Sequence, residues 1–251
     1  MDLELEGKVA VIAGAVGGMG EESARILLDE GASIVLADIL DEQGQALAEE
    51  LNADAGQVRA IYVHTDVTKP DDIGHLVDEA LEAFGTIDIL INTAGIGGRG
   101  IETAEQWDYL LAVHVRGTAF CIKQVTDRVM IPNGCGKIVN VASLCCHSGS
   151  GGLSAYCAAK AAIRQLTLGG AGTLGRNGIN MNCVSPGNVR SPMTKGMLSD
   201  PETVQRIKNE VVFGYIGDAR DIAWPIVFLC SDRAKWIVGA DLNVSAGQVI
   251  Y

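Results

Sequence analysis

The chain has 251 residues, 48% of them hydrophobic, which is enough to bury a large core in one α/β domain or in two small ones. Its formal net charge is −12 at pH 7, and an acidic surface repels nucleic-acid phosphates and anionic membranes, so we expect neither as a partner. Seven cysteines without a CxxC pair, and four histidines that share no ligand spacing with them, indicate reduced thiols and no metal site.

Short apolar runs alternate with longer amphipathic stretches along the whole chain. The N-terminus lacks the basic region of a signal peptide, and no apolar run approaches the ~18 residues of a membrane span, so we expect a cytoplasmic protein. Seven buried strands are predicted at 8–13, 33–37, 59–64, 87–91, 137–141, 180–184 and 241–244. Helices are predicted at roughly 18–30, 41–53, 70–84, 103–130, 153–176 and 219–230. This alternation predicts a doubly wound parallel sheet with helices on both faces, in one domain over 1–251.

Two local patterns refine this outline. The residues from Thr68 to Asp71 predict a helix with Thr68 as its N-cap and a proline early in the first turn. The stretch 188–217 is predicted to be irregular, because it contains several prolines and glycines. A loop of that length in a compact domain is usually functional, often a lid, although a plain surface insertion is the alternative.

The first predicted strand runs directly into a glycine-rich turn and then a helix. Gly14, Gly18 and Gly20 allow a sharp turn and a close approach of the backbone to a pyrophosphate, which the helix N-terminus then binds. Asp38 ends the second strand about 20 residues later, where its carboxylate would bind the adenosine ribose hydroxyls and repel a 2′-phosphate. No basic residue stands beside it to offset that repulsion, so NAD is predicted over NADP, unless Asp38 merely caps the next helix.

Tyr156 and Lys160 lie four residues apart in a strongly helical stretch, which places their side chains on one face, one turn apart. An ammonium beside a phenol lowers the pKa of the phenol, so Tyr156 is predicted to exchange a proton near neutral pH. Ser143 stands at the carboxyl end of a predicted parallel strand, where its hydroxyl can bind a substrate oxygen and stabilise charge on it.

In combination, these motifs resemble those of the short-chain dehydrogenase/reductase family over residues 5 to 247. The matching motifs are Gly14-x-x-x-Gly18-x-Gly20, Asp66-Val67, Asn92-Thr-Ala-Gly95, Ser143, Tyr156-x-x-x-Lys160 and Pro186-Gly-Asn-Val-Arg-Ser191. The resemblance implies a three-layer Rossmann fold and an NAD-dependent oxidoreductase that interconverts a secondary alcohol and a ketone. It also implies a homotetramer or homodimer.

The resemblance further implies a role for each matching position. Asp66 and Val67 would hold the adenine, with a simple turn residue as the alternative for Asp66. The predicted cofactor-binding residues are Gly14, Gly18, Met19, Gly20, Asp38, Ile39, Asp66, Val67, Asn92, Ala94, Gly95, Tyr156, Lys160, Pro186, Gly187, Val189 and Ser191. The predicted substrate contacts are Cys145, His147, Leu153 and Met193, in a pocket suited to a compact or cyclic alcohol.

His114 stands where the family usually has an asparagine, whose backbone carbonyl binds a water of a proton relay. We therefore include His114 among the predicted catalytic residues Ser143, Tyr156, Lys160 and His114, with three alternatives: it preserves the local kink, it relays protons itself, or it is a packed, neutral side chain. Glycines in the helix after Lys160 indicate either close packing in a subunit interface or a weak helix end.

Two other functional classes fit parts of the sequence. A non-catalytic NAD(H)-binding sensor would keep the glycine loop, but it would normally lose Ser143, Tyr156 and Lys160. A 3-oxoacyl-acyl-carrier-protein reductase would usually prefer NADPH and carry a basic docking patch, which Asp38 and the acidic surface disfavour. A lyase or epimerase would normally need a longer chain.

Overall fold

The computed structural model describes residues 2–148 and 154–249, and the elements below lie within these ranges. The strands are β1 Val9–Ala13, β2 Ser33–Asp38, β3 Ala60–His64, β4 Ile89–Asn92, β5 Gly136–Val141, β6 Ile179–Pro186, β7 Val189–Arg190, β8 Gly217–Asp218 and β9 Asp241–Val244. The α-helices are α1 Gly18–Asp29, α2 Asp41–Ala55, α3 Pro70–Phe84, α4 Ala104–Leu111, α5 Thr118–Val125, α6 Ile131–Asn133, α7 Cys145–Ser148, α8 Ser154–Gly175, α9 Pro201–Glu210 and α10 Ala219–Cys230.

Seven strands form one parallel sheet in the order β3-β2-β1-β4-β5-β6-β9. All seven were predicted from the sequence, and each observed end lies within two residues of its predicted position. The strand order reverses between β1 and β4, and the carboxyl ends of parallel strands form a ligand-binding crevice at such a point.

The core has one large apolar cluster on each face of the sheet. Along β1, Ala10 and Ile12 pack into the cluster that includes α1 and α10, whereas Val11 and Ala13 pack into the cluster that includes α3 and α5. All five residues of β1 are buried, because the strand is covered on both faces. The predicted three-layer, doubly wound architecture is therefore confirmed.

The prediction that Thr68 caps the third helix is wrong. Helix α3 begins at Pro70 with Lys69 in the N-cap position. The Thr68 hydroxyl and backbone amide both donate to Asp66 Oδ1, at 2.7 and 2.9 Å. The turn made by Asp66 thus holds the Thr68 side chain away from the free amides of the helix.

The stretch 188–217 is more regular than its prolines and glycines suggested. It contains β7, two short 3₁₀ turns, α9 and β8. Helix α9 has Asp200 as its N-cap, which accepts hydrogen bonds from the amides of Glu202 and Thr203, and Pro201 as its first residue. Its buried Ile207 packs with Val211 and Ile216 in a small core of its own.

The predicted helix 103–130 contains two interruptions. The turns Ala112–Gly117 and Thr126–Met130 are π-helical, so the helical run from α4 to α6 is wider than an α-helix at these points. Such turns occur frequently at functional sites. No helix in the described part of the chain is long and apolar enough to cross a bilayer.

Candidate cofactor and catalytic site

Two positions in the turn between β1 and α1 have no space for a side chain and therefore require glycine. Gly14 has a φ of 83°, and a side chain there would collide with the backbone of Ala94. A side chain at Gly20 would collide with the carbonyl oxygen of Gly14. Gly17 is the N-cap of α1 and provides no side-chain cap, so the first amides of the helix remain available to an anion.

Asp38 links this turn to the end of β2. Its Oδ2 accepts a hydrogen bond from Val16 N at 2.9 Å, and its Oδ1 accepts one from Ile39 N at 2.8 Å. Helix α2 has Leu40 as its N-cap and no side-chain cap, so Asp38 does not serve as the helix cap. The carboxylate is instead fixed beside the glycine turn, at the edge of the cleft.

A cleft of about 450 Å³ lies over the crevice between β1 and β4. The predicted residues that line it are Gly14, Gly18, Met19, Gly20, Asp38, Ile39, Asp66, Val67, Ala94, Gly95, Ser191 and Met193. Sequence reasoning missed Tyr109, Val113 and Pro192, which also line it. The spacing of four between Tyr109 and Val113, on one helical face, was the available signal.

The segment after β6 contributes to two cavities. Ser191 is the N-cap of the 3₁₀ turn Pro192–Thr194, and its side chain accepts a hydrogen bond from the Thr194 amide. Pro192 Cγ lies 3.2 Å from the position that a side chain at Gly17 would take, so this turn covers the glycine loop. Gly187 and Val189 line a second cavity of about 220 Å³.

Pro186 and Asn92, two predicted cofactor-binding residues, are not part of the cleft lining. The Pro186 carbonyl accepts a hydrogen bond from Leu144 N at 3.0 Å, which ties the end of β6 to the residue after Ser143. The Asn92 side chain turns into the sheet and donates to Asn140 Oδ1 at 2.8 Å. The fourth-strand contacts in the cleft therefore come from the residues that follow Asn92.

Helix α8 presents Tyr156 and Lys160 on one face. Lys160 Nζ lies 5.6 Å from the centroid of the Tyr156 ring and donates to the carbonyl oxygen of Val141, at the end of β5, at 2.8 Å. Burial lowers the pKa of Lys160 to about 8. The ammonium can therefore lose its proton at a mildly alkaline pH.

The predicted lowering of the Tyr156 pKa is not observed. Burial raises the pKa of Tyr156 above its ordinary value, and the nearby Cys145 thiol adds to the increase. A hydrogen bond with Ser143 offsets only part of it. The charge of Lys160 favours the phenolate, but the free-energy cost of removing the phenolate from water is larger.

Ser143 follows the end of β5 and is buried. Its Oγ accepts a hydrogen bond from Cys145 N at 3.2 Å. Burial raises the pKa of Cys145 and of Cys146, so both thiols stay protonated at neutral pH. Thiols that stay protonated are poor nucleophiles, so these cysteines are not expected to attack a substrate.

His114 lies in the π-helical turn Ala112–Gly117 and is fully buried. Its Nε2 is 2.9 Å from Ile96 O and 3.1 Å from Ile96 N, and its ring meets the ring of Tyr156 edge to face, with 5.4 Å between centroids. Burial, followed by the charge of Lys160, lowers the pKa of His114 to about 3. The kink, as a π-helical turn, and the packed, neutral imidazole are both present, and the low pKa argues against the third alternative, a direct proton relay by His114.

His147 does not lie open to solvent. Its Nε2 is 2.8 Å from Asp241 Oδ2, and the same oxygen accepts a hydrogen bond from Arg164 Nε at 2.7 Å. Ser185 donates to the other carboxylate oxygen. Among the predicted substrate contacts, half-exposed Met193 lines the cleft, and Leu153 falls outside the described residues.

The fold also assembles a group that the spacing of cysteines and histidines did not predict. The candidate ligand atoms of Cys146, His147 and Asp241 all lie within 4.8 Å of one another. The Arg164 guanidinium already neutralises the carboxylate of Asp241 and would repel a cation. The Asp241 carboxylate is thus held by the Arg164 guanidinium and the Ser185 hydroxyl, with His147 beside it.

Comparisons with known proteins agree with this geometry. The family model described as "Enoyl-(Acyl carrier protein) reductase" matches residues 14–248. Momilactone A synthase of Oryza sativa subsp. japonica is 38% identical over 97% of this chain and 90% of its own length. The 3-alpha-(or 20-beta)-hydroxysteroid dehydrogenase of Mycobacterium bovis is 37% identical over 99% of this chain and 92% of its own.

Two further similarities extend this picture. Trans-4-hydroxycyclohexanecarboxylate dehydrogenase of Sinomonas cyclohexanicum is 35% identical over 96% of this chain and 92% of its own length. The crystal structure of gox2181 matches 100% of this chain and 98% of its own, with a TM-score of 0.94 and 26% identity. The sheet order, the glycine turn and these full-length similarities lead to one conclusion: the chain belongs to the short-chain dehydrogenase/reductase family and is an oxidoreductase.

Proposed function

We propose that this protein is an NAD-dependent dehydrogenase that interconverts a secondary alcohol and a ketone, with Tyr156 as its acid/base. One observation carries the proposal. The glycine turn and Asp38 lie in the same cleft at the β1–β4 crevice. The partly buried Tyr156 and the buried Lys160 lie with Ser143 near the carboxyl end of β5.

The residues of the cleft fit a dinucleotide. Side chains at Gly14 and Gly20 would collide with backbone, which leaves a cradle of main chain for a pyrophosphate beside the uncapped amides of α1. The carboxylate of Asp38 faces the end where a ribose would bind, and it favours a free 2′-hydroxyl over a phosphate. When bound, NAD would supply the group that accepts the hydride leaving the alcohol carbon.

The protein's own residues would handle the proton. In the oxidative direction Tyr156 takes the proton of the alcohol, and Ser143 holds the same substrate oxygen by a hydrogen bond. The raised pKa of Tyr156 makes its phenolate costly, so the positive charge of Lys160 beside the ring stabilises the form that accepts the proton. The reverse steps reduce the ketone.

The substrate class is a ring-bearing secondary alcohol. Relatives that match nearly the whole chain are named for a hydroxycyclohexanecarboxylate and for a hydroxysteroid, both of which are ring-containing secondary alcohols. The half-exposed thioether of Met193 at the edge of the cleft offers an apolar surface to such a ring.

The test follows NADH formation from NAD with a panel of cyclic, aryl and aliphatic secondary alcohols. We expect turnover with cyclic alcohols by the wild type, and a loss of at least about 100-fold in Tyr156→Phe, because general acid–base catalysis contributes that much. NADH binding, followed by its fluorescence, should persist in the variant and shows that the fold is intact. Turnover that survives in Tyr156→Phe would disprove the mechanism.

The same experiment distinguishes the proposed enzyme from a non-catalytic NAD(H) sensor. A sensor would bind NADH tightly and turn over no alcohol in the panel. The retained Ser143, Tyr156 and Lys160 favour the enzyme. His114→Asn, which restores the usual residue of the family, is the variant to test if the wild type binds NADH without turnover.

A further inference from the structure

Gly44 lies inside α2, where the backbone conformation does not require glycine. A glycine in a helix interior costs roughly 1 kcal/mol relative to alanine. A side chain at Gly44 would collide with the ring of Tyr62 on β3. The missing side chain therefore provides the space in which the Tyr62 ring packs against the helix.

The Tyr62 hydroxyl bridges two groups at the edge of the cofactor cleft. Its oxygen lies 2.7 Å from the carbonyl oxygen of Asp38 and 2.8 Å from Asp41 Oδ1. A phenol has one proton, so Tyr62 shares it between these two acceptors. The bridge connects the end of β2, which carries the ribose-binding carboxylate, to the first turn of α2.

Asp41 is held from a second side as well. His64 Nδ1 lies 2.7 Å from Asp41 Oδ1, and the pairing of β2 with β3 places His64 directly opposite Asp38. The hydrogen bonds from His64 and then from Tyr62 lower the pKa of Asp41 below its ordinary value. Asp41 is thus an ionised carboxylate with a fixed position near Asp38.

We infer that Tyr62 is a positioning residue for cofactor selection: it orients the turn that carries Asp38 and fixes Asp41 as a second negative charge against a 2′-phosphate. The preference for NAD then depends on the Tyr62–Asp41 pair as well as on Asp38. This inference rests on the proposed function, because it concerns the same cleft.

The experiment measures dissociation constants of NADH and NADPH for the full-length protein by nucleotide fluorescence. Tyr62→Phe removes only the hydroxyl, and Asp41→Asn removes only the charge. We expect each to reduce the NADPH-to-NADH ratio of dissociation constants by about three- to tenfold, the effect of losing one hydrogen bond or nearby charge. Gly44→Ala should reproduce the effect of Tyr62→Phe, because it displaces the ring. Asp54→Asn, at the other end of α2, is the matched control and should leave the ratio unchanged.

The ratio of the two dissociation constants distinguishes a role in cofactor selection from a general role in stabilising the fold. A merely structural role would weaken the binding of both nucleotides equally, and that result in Tyr62→Phe and Asp41→Asn would overturn the inference. Asp41 is largely solvent-exposed, so its variant should fold even if Gly44→Ala does not. Asp38→Asn is the reference for the proposed function. If Asp38→Asn does not lower the ratio, the proposed NAD preference is itself wrong; if it does and the other variants have no effect, only the Tyr62 inference fails.

Discussion

Lys160 carries a charge in an almost completely buried position, which makes the stability of the protein depend on pH. Its pKa is about 8 in the folded chain, against 10.5 for an ordinary lysine. Between these two pH values Lys160 keeps its proton in the unfolded chain but has lost it in the folded chain. The contribution of Lys160 to the free energy of unfolding therefore rises with pH, by up to about 3 kcal/mol. Urea denaturation of the wild type and Lys160→Met from pH 7.5 to 10.5 tests this. The difference between the two proteins isolates Lys160 from the buried thiols, and a pH-independent difference would contradict the prediction.

His114 should not carry the catalytic proton. Because its pKa is about 3, the imidazole stays neutral throughout the range from about pH 5 to 9 in which the enzyme can be assayed. We expect His114→Asn to leave the shape of the pH profile of kcat/KM unchanged, since the amide can still bind the Ile96 backbone. His114→Leu should weaken the fold by about 1–3 kcal/mol, because it leaves a buried backbone group without a partner. Loss of one limb of the profile in His114→Asn would instead assign the proton to His114.

At the scale of elements, the start of α1 has no space for a side chain at Gly20. Gly20→Ala places a methyl group against the Gly14 carbonyl, so we expect a loss of about 1–3 kcal/mol in stability and weaker NADH binding. Gly74→Ala is the matched control, because Gly74 is also helical but has nothing within 4 Å of an added Cβ. That control should stabilise α3 by up to about 1 kcal/mol. Thermal unfolding and NADH titration of both variants provide the comparison, and equal effects of the two substitutions would disprove the steric argument.

The elements also show where sequence reasoning reaches its limit. The strands were predictable because each is a short apolar run that the parallel sheet buries on both faces. Helix α9 was missed although Asp200 and Pro201 form a standard helix start, because the prolines and glycines around it suggested a loop. The π-helical turn at His114 could not be predicted, since it depends on how the imidazole packs against Ile96 and Tyr156. The raised pKa of Tyr156 likewise follows from burial, which the Tyr-x-x-x-Lys spacing does not encode.

At the scale of the whole molecule, two exposed surfaces suit association with further copies. Gly169 and Gly172 are exposed on α8, with nothing within 4 Å of an added Cβ at either position. Trp236, in the segment before β9, is 96% exposed, and Trp224 on α10 is 46% exposed. Large exposed aromatic side chains are enriched at protein interfaces, so we expect a homodimer or homotetramer.

A pair of substitutions tests the α8 surface. In an isolated chain Gly169→Ala would stabilise the helix by up to about 1 kcal/mol, and Gly169→Arg would be tolerated at an exposed position. If α8 forms a close subunit interface, Gly169→Arg lowers the mass of the assembly, as measured by light scattering after size-exclusion chromatography. Trp236→Ser tests the other surface in the same way. A wild type that remains monomeric at high concentration would refute the expected assembly.

The 3₁₀ turn Pro192–Thr194 has a kinetic consequence. Pro192 lies against the glycine loop, and Ser191 and Met193 line the candidate cofactor cleft. A dinucleotide bound over the glycine loop would contact this turn, so we expect the turn to move when the nucleotide enters or leaves. The rate of nucleotide release should therefore depend on how readily this one short turn opens.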